Sequence, residues 1–419
     1  MIKLSELIVS TSENLNGSVK ISGSKNAALP IIAACIAVNG KTKLNNIPNL
    51  SDVRTMLDIL SSLGCNINKN NNTVEIVSDN INNLISPYEM VLKLRASFLV
   101  SGALLGRFGY ARISQPGGCA IGTRPVDLHL KGFSLMGAQI EKGEGYIELK
   151  ANRLRGASIY LDFPSVGATE NLIIAACLAD GQTEIINAAT EPEVSDLSNF
   201  LVSCGADIQG IGTEHITIKG KDELYNCEYT VISDRIEAGT FMIASAITNG
   251  CVNLENIATE HLTSVIAKLR EMGVDVREKN NGISVCASSN ILPTDIKTMP
   301  HPGFPTDMQS LFSSLMCYAN GTSIVTETIF ENRFMHIGEL TRMNANIRID
   351  GRSAVINGGK RLDGTLVNAT DLRAGAALAL AGLSAKGVTK ISNAQLIERG
   401  YENFATKLQN LGANIEYRY

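Results

Sequence analysis

The stretch LGCNI at residues 63–67 returns five more times along the chain, as MGAQI at 136–140, CGADI at 204–208, MGVDV at 272–276, MNANI at 343–347 and LGANI at 411–415. Successive copies start 73, 68, 68, 71 and 68 residues apart. So even a spacing marks six structural repeats of about 70 residues. Other features keep the same phase. Gly40, Gly109, Gly181, Gly250, Gly321 and Gly387 each close an apolar segment and precede a β-prone one such as TSIVTETI at 322–329. Glycine suits a helix end that turns into a strand.

The segments before those glycines, such as AALPIIAACIAV at 27–38 and AGAALALAGLSA at 374–385, are apolar nearly all round and predict buried helices. SDVRTMLDILSSLG at 51–64 has a different character. Its residues Val53, Met56, Leu57, Leu60 and Leu63 share one face, and Ser51 is placed to cap its start. Alternating runs such as NTVEIV at 72–77, GYIELK at 145–150 and EHITIK at 214–219 predict hairpin strands. One repeat therefore reads strand, buried helix, strand, amphipathic helix, strand, strand.

A wholly apolar helix cannot be stable alone, so repeats must cluster with these helices inside and sheets outside. The fold class is α/β, and 419 residues suit two similar domains of three βαβαββ repeats each. The polar segment GKDELYNCEY at 220–229 sets the domain junction at about 229 or 230. The segment GSVKIS at 17–22 reads as a strand beside the crossover into the first domain. Residues 1 to about 21 either complete the second domain or extend the first, and the spacing leaves both open.

Composition is that of a globular protein, with 44% hydrophobic and 19% charged residues and no Trp. Basic and acidic residues nearly balance at 37 and 41, so no global field recruits nucleic acid or anionic lipid, and any anion site must be local. The first 14 residues lack a signal-peptide pattern, and no run of about 18 apolar residues occurs. A cytoplasmic protein with neither nucleic-acid nor membrane partners is expected. The nine cysteines include no CxxC pair and fit neither a disulfide framework nor a zinc site, so most should be free thiols packed as small apolar residues. His215, His261, His301 and His336 show no ligand spacing and read as structural. No metal and no cofactor is expected.

The chemistry concentrates in SQPGGCAIGTRPVDLHL at 114–130, where a glycine-rich loop around Cys119 replaces a short strand-to-helix link. Glycines let a backbone approach a ligand closely, and Arg124 five residues on can lower a thiol pKa. Cys119 is either a buried small residue or a reactive thiol, and its Gly and Pro neighbours argue against burial. Lys25, Arg95, Arg235 and Arg373 recur near the starts of buried helices. A helix N-terminus beside a cation makes an anion site, against which stands the reading of each as a solvated surface charge. Asp307 in HPGFPTDMQ takes the matching place in the fifth repeat, either as a plain N-cap or as a base among cations. Arg333 in ENRFMH and Arg399 in ERGYE complete the set.

Several long phrases in order carry a family resemblance: SGSKNAALP at 22–30, PGGCAIGTRPVDLHL at 116–130, SVGAT at 165–169, FPTDMQ at 304–309, ENRFMH at 331–336, ATDLRAG at 369–375 and ERGYE at 398–402. End to end, the chain resembles the enolpyruvyl transferase family, and within it the enzymes that use UDP-N-acetylglucosamine. The resemblance implies two domains, 22–229 and 1–21 with 230–419, built as an inside-out barrel of three repeats each with substrates in the cleft between. It implies transfer of the enolpyruvyl group of phosphoenolpyruvate to the 3′-hydroxyl of UDP-N-acetylglucosamine, the first committed step of peptidoglycan synthesis.

By the same resemblance, Cys119 delivers a proton to the methylene of phosphoenolpyruvate and is the thiol that fosfomycin alkylates. Asp307 takes the proton of the sugar hydroxyl. Lys25, Arg124 and Arg399 hold the phosphate, Arg373 faces the carboxylate, and Asn26 bridges to the intermediate. Arg95, Arg124, Pro125, Val126, Asp127, Leu128, Ser165, Val166, Gly167, Asp307 and Ile329 line the nucleotide-sugar pocket, with Arg333 among the substrate-binding set. Phe163 and Pro164 stand where some relatives carry a basic residue, which puts the diphosphate contacts there in doubt. Two rivals remain: the sister enzyme acting on shikimate 3-phosphate, which lacks the Cys119 loop and RPVDLHL, and a non-catalytic UDP-sugar-binding paralogue. The paralogue would be expected to have lost Cys119, Asp307 or Lys25, all of which are present.

Overall fold

The repeated phrase forms the C-terminal turn of the amphipathic helix in each repeat. In the computed structural model, which describes residues 5–114, 122, 125–287 and 290–418, these helices are Ser51–Leu63, Asp127–Leu135, Pro192–Ser203, Thr263–Glu271, Met335–Arg342 and Phe404–Asn410. The residue that reverses the chain after them is left-handed in every copy: Gly64, Gly137, Gly205, Gly273 and Gly412 have φ of 109°, 92°, 97°, 82° and 100°, and Asn344 has 67°. A Cβ is costly in that region, and asparagine is among the few residues that tolerate it. That is why the fifth copy can read MNANI.

The buried helices are Lys25–Ala34, Val100–Phe108, Val166–Ala176, Arg235–Ile247, Gln309–Met316 and Leu372–Ser384. Every residue of Arg235–Ile247 is buried. Such a helix offers no solvated face, so its stability comes from packing against its neighbours rather than from helix propensity. Ser51 departs from expectation. It is the first helical residue, its hydroxyl has no partner, and Leu50 stands at the cap position.

Among the described residues there are six sheets, five of four strands and one of three. In the third repeat the order is Ser158–Tyr160, Gln182–Ile186, His215–Lys219, Asp207–Gln209. The first pair is parallel across the buried helix, and the others are antiparallel. The second repeat keeps only one parallel bridge, Ile85 to Arg112, in place of its first strand.

Two departures from a plain tandem array tie the chain together. The strand before the first buried helix, Asn16–Lys20, pairs with Cys251–Glu255 of the fourth repeat. In exchange, Glu228–Thr230 at the start of the fourth repeat pairs with Lys41–Asn45 of the first. The sixth repeat ends after its third strand, Ile415–Arg418, and Glu6–Ser10 at the other end of the chain supplies the fourth, between that strand and Val388–Ser392.

The chain accordingly separates into two compact units that change over at Ser22–Gly23 and Ile232–Ser233, with the N-terminal strands packed among residues 233–418. The polar stretch 220–229 still belongs to the unit holding Gly23, because its end is a strand of that unit's sheet. Each unit has its own apolar core, one running from Ala27 to Val231 and the other from Leu7 to Ile415.

The cysteines depart from expectation in one place. Cys251 and Cys286 face each other across antiparallel strands and are joined as a disulfide. Sequence spacing alone could not reveal this, because strand register and not separation along the chain brings them together. Cys35, Cys65, Cys177, Cys204, Cys227 and Cys317 are free, and all but Cys227 are buried. No helix among the described residues is long and apolar enough to cross a membrane, and no described group of His, Cys, Asp or Glu could hold a metal ion.

Candidate active site

The strand-to-helix junctions of the repeats carry the predicted residues. In the unit holding Gly23, Ser24 caps Lys25–Ala34 and accepts a hydrogen bond from the Ala27 amide at 3.3 Å. Lys25 is the first helical residue and only 7% exposed, so it is not a solvated surface charge. Its Nζ lies 2.6 Å from Asp52, also buried, on the adjoining amphipathic helix. Removing one partner of such a pair leaves a buried charge and costs about 3–5 kcal/mol. Asn26 follows, half-buried.

Arg95 opens the short 3-10 turn Arg95–Leu99 ahead of the second buried helix. Pro125 and Val126 lead into helix Asp127–Leu135, where Asp127 is exposed and Leu128 half-buried. Ser165 caps the helix that begins at Val166 and Gly167, its Oγ accepting from the Ala168 amide at 3.4 Å.

These three loops share one buried hub that sequence reading missed. The Asn171 amide nitrogen lies 3.2 Å from the Phe98 carbonyl, 3.0 Å from Ser101 Oγ and 3.0 Å from His129 Nδ1. Its Oδ1 accepts from the Gly102 amide at 2.8 Å. Burial, with Arg95 adding to it, pushes the His129 imidazole down to about 3, so the ring is neutral and its Nδ1 accepts. One side chain thereby ties together the Arg95, Asp127–Leu128 and Ser165–Gly167 segments. The available signal was the polar triplet Thr169, Glu170 and Asn171 directly ahead of the apolar run LIIAA in a segment read as a buried helix.

In the other unit, Asp307 lies in the 3-10 turn Thr306–Met308 directly before the fifth buried helix. Arg333 Nη2 donates to its Oδ1 at 2.5 Å, and Arg373 Nε and Nη2 donate to its Oδ2 at 3.2 and 3.0 Å. The two arginine side chains are 5% and 3% exposed, while that of Asp307 is 26% exposed. Burial alone would raise the Asp307 carboxyl, but Arg373 and Arg333 more than offset it and hold it well below the usual carboxylate range. Asp307 is thus not a plain N-cap. Arg373 also stacks on Tyr401 at 5.2 Å, and Tyr401 shares a hydrogen bond with Thr240 on another buried helix at 3.0 Å.

Ile329 is half-buried in the loop that follows strand Thr322–Thr326, and Arg399 is the last residue of the 3-10 segment Ala394–Arg399. Arg235, at the first position of its helix, is buried beneath the Asp234 cap. Cys119 and Arg124 lie outside the described residues. The geometry that is described brings Asp307, Arg333 and Arg373 into one cluster and sets Lys25 at the head of a buried helix. A guanidinium bound to a carboxylate can pass to an incoming anion of matching geometry, which leaves the carboxylate with one cationic partner.

Residues 9–408 match the family model described as EPSP synthase (3-phosphoshikimate 1-carboxyvinyltransferase). UDP-N-acetylglucosamine 1-carboxyvinyltransferase 1 of Halalkalibacterium halodurans is 55% identical over 415 residues, covering 99% of this chain and 94% of that one. UDP-N-acetylglucosamine 1-carboxyvinyltransferase 2 of Carboxydothermus hydrogenoformans is 54% identical and covers 99% of both. Among solved structures, the enolpyruvyl transferase NikO from Streptomyces tendae superposes with a TM-score of 0.90 at 24% identity, covering 99% of each chain. EPSP synthase from Acinetobacter baumannii superposes at 0.78 and 20% identity over the whole of both. The two solved structures establish the fold, and the sequence matches establish kinship: the chain belongs to the enolpyruvyl transferase family, that of EPSP synthase and the UDP-N-acetylglucosamine 1-carboxyvinyltransferases.

Proposed function

We propose that this protein transfers the enolpyruvyl group of phosphoenolpyruvate to the 3′-hydroxyl of UDP-N-acetylglucosamine, releasing phosphate, as the first committed step of peptidoglycan synthesis in the cytoplasm. The observation that carries the reading is the carboxylate Asp307 clamped by Arg333 and Arg373, in a chain more than half identical along its length to relatives of that name.

In this reading the carboxylate of phosphoenolpyruvate takes Arg373 from Asp307. The loss of one guanidinium raises the Asp307 carboxyl toward the range in which it can accept a proton. The 3′-oxygen then attacks the middle carbon of phosphoenolpyruvate as its proton passes to Asp307, while Cys119 gives a proton to the methylene. The resulting ketal loses a methyl proton back to the thiolate as its carbon–oxygen bond to phosphate breaks and the proton held by Asp307 passes to the departing phosphate, which forms the enol ether of the sugar and returns both groups to their starting state. Lys25, Arg124 and Arg399 neutralise the departing phosphate. Asn26 bridges to the intermediate. Arg95, Pro125 to Leu128, Ser165 to Gly167 and Ile329 orient the nucleotide sugar. Each step uses groups of the chain and the two substrates.

The test is the mass of the nucleotide sugar after incubation with phosphoenolpyruvate. Gain of a single enolpyruvyl group is expected, and an unchanged mass with active refolded controls would overturn the reading. For the thiol, Cys119→Asp should keep measurable turnover and resist fosfomycin; inactivation of that variant at the wild-type rate would remove Cys119 from its assigned role.

A further inference from the structure

Strand Thr322–Thr326 turns Ser323 and Val325 inward and leaves Ile324 40% exposed. The next inward position is Glu327, 1% exposed, where the alternation would call for an apolar residue. A carboxylate there must be fully satisfied to be tolerated, and it is. Oε1 accepts from Thr298 Oγ1 at 2.9 Å, the Ile329 amide at 2.8 Å and the Phe330 amide at 3.1 Å. Oε2 accepts from Thr306 Oγ1 at 2.8 Å.

Thr306 links this carboxylate to the cluster described above. Its hydroxyl donates to Glu327 and accepts from Arg333 Nη1 at 2.9 Å, while Nη2 of the same guanidinium donates to Asp307 at 2.5 Å. The Glu327 backbone is pinned as well: its amide donates to the Arg352 carbonyl at 2.9 Å, and Arg352 Nε returns a bond to the Glu327 carbonyl at 2.8 Å.

We propose that Glu327 is a positioning residue for the transfer reaction, fixing the Ile329 loop through two backbone amides and orienting Arg333 against Asp307 through the Thr306 hydroxyl. The inference rests on the roles proposed above for Asp307 and Ile329. A carboxylate kept only for local folding would be satisfied by the backbone amides and Thr298. Here its second oxygen is bound to a hydroxyl whose other partner is a guanidinium already engaged with Asp307. The chain from Glu327 through Thr306 and Arg333 to Asp307 alternates donor and acceptor without a gap, so each member holds the next in one orientation. Glu327→Gln keeps the shape but places an amide donor where one of these acceptors stood. Thr306→Val keeps the volume and removes the relay.

The experiment compares Glu327→Gln, Thr306→Val, Thr306→Ser and Asp307→Asn with the wild type in kcat, KM for each substrate, the pH profile of kcat and melting temperature. The expected result is a fall in kcat of about tenfold or more for Glu327→Gln and Thr306→Val, with the acid limb moved to higher pH and KM for phosphoenolpyruvate changed by less than about threefold. Thr306→Ser, which restores the hydroxyl, should stay within about twofold of wild type. Wild-type kcat and pH profile in both Glu327→Gln and Thr306→Val would overturn the proposal, as would a Thr306→Ser enzyme as impaired as Thr306→Val. If Glu327→Gln does not fold, the Thr306 pair decides alone. Full activity in Asp307→Asn would instead refute the assignment of Asp307.

Discussion

At the scale of single residues, two guanidiniums determine what Asp307 can do. With Arg333 and Arg373 both bound, its carboxyl is held well below the usual range, and it is a poor base. Asp307→Asn should therefore lower kcat by at least about 100-fold, the ordinary contribution of a positioned acid or base. Arg373→Ala removes the larger of the two opposing influences, so the acid limb of kcat/KM should move to higher pH, and KM for phosphoenolpyruvate should rise. An unmoved limb would show that Asp307 does not set it. The presence of Asp307 and the arginines was legible as motifs, but their pairing was not, because positions 307, 333 and 373 are brought together only by packing of separate elements. Glu327 was not legible either: in TSIVTE the polar Ser323 faces inward and the apolar Ile324 outward, so the residue types do not tell which face Glu327 joins.

At the scale of elements, the recurrent phrase was readable because a left-handed helix end restricts residue choice more sharply than most positions do. Asn344 at φ 67° tests that account. Asn344→Gly should leave stability within about 0.5 kcal/mol, whereas Asn344→Val should cost roughly 1–2 kcal/mol, read from urea unfolding midpoints. Equal midpoints for the two would contradict the left-handed reading. The buried helices were equally legible, since an all-apolar segment has few places to go. Helix caps were not. Ser51 looked like a cap from its position before an apolar stripe, yet the chain starts its helix on that residue, and a shift of one position is within what local signals allow.

At the scale of the whole molecule, six repeats and two groups of three followed from the spacing, while the exchange of strands between the first and fourth repeats did not. The segment GSVKIS reads as a strand in either partner sheet, so only pairing could decide. The N-terminal strand Glu6–Ser10 supplies the fourth strand of the last repeat, and Leu7 in it is fully buried. Leu7→Ala should cost about 2–5 kcal/mol, a large effect for a residue so near a chain end, and an unchanged unfolding midpoint would contradict the pairing. Stability should also fall with acid. Burial lowers His129 to about 3 and His336 to about 4, so both stay neutral while the unfolded chain takes up protons below about pH 6.5. At pH 5 each should have lost about 2 kcal/mol of its contribution relative to pH 7. His129→Gln should flatten the dependence between those values, and a profile as steep as wild type would argue against a buried neutral ring.

The activity itself is tested most directly by measuring phosphate released from phosphoenolpyruvate with UDP-N-acetylglucosamine, with shikimate 3-phosphate, and with no acceptor. Release matching the consumption of UDP-N-acetylglucosamine, and background release with the other two, is the expected result. Background release with UDP-N-acetylglucosamine, or equal release with shikimate 3-phosphate, would contradict it.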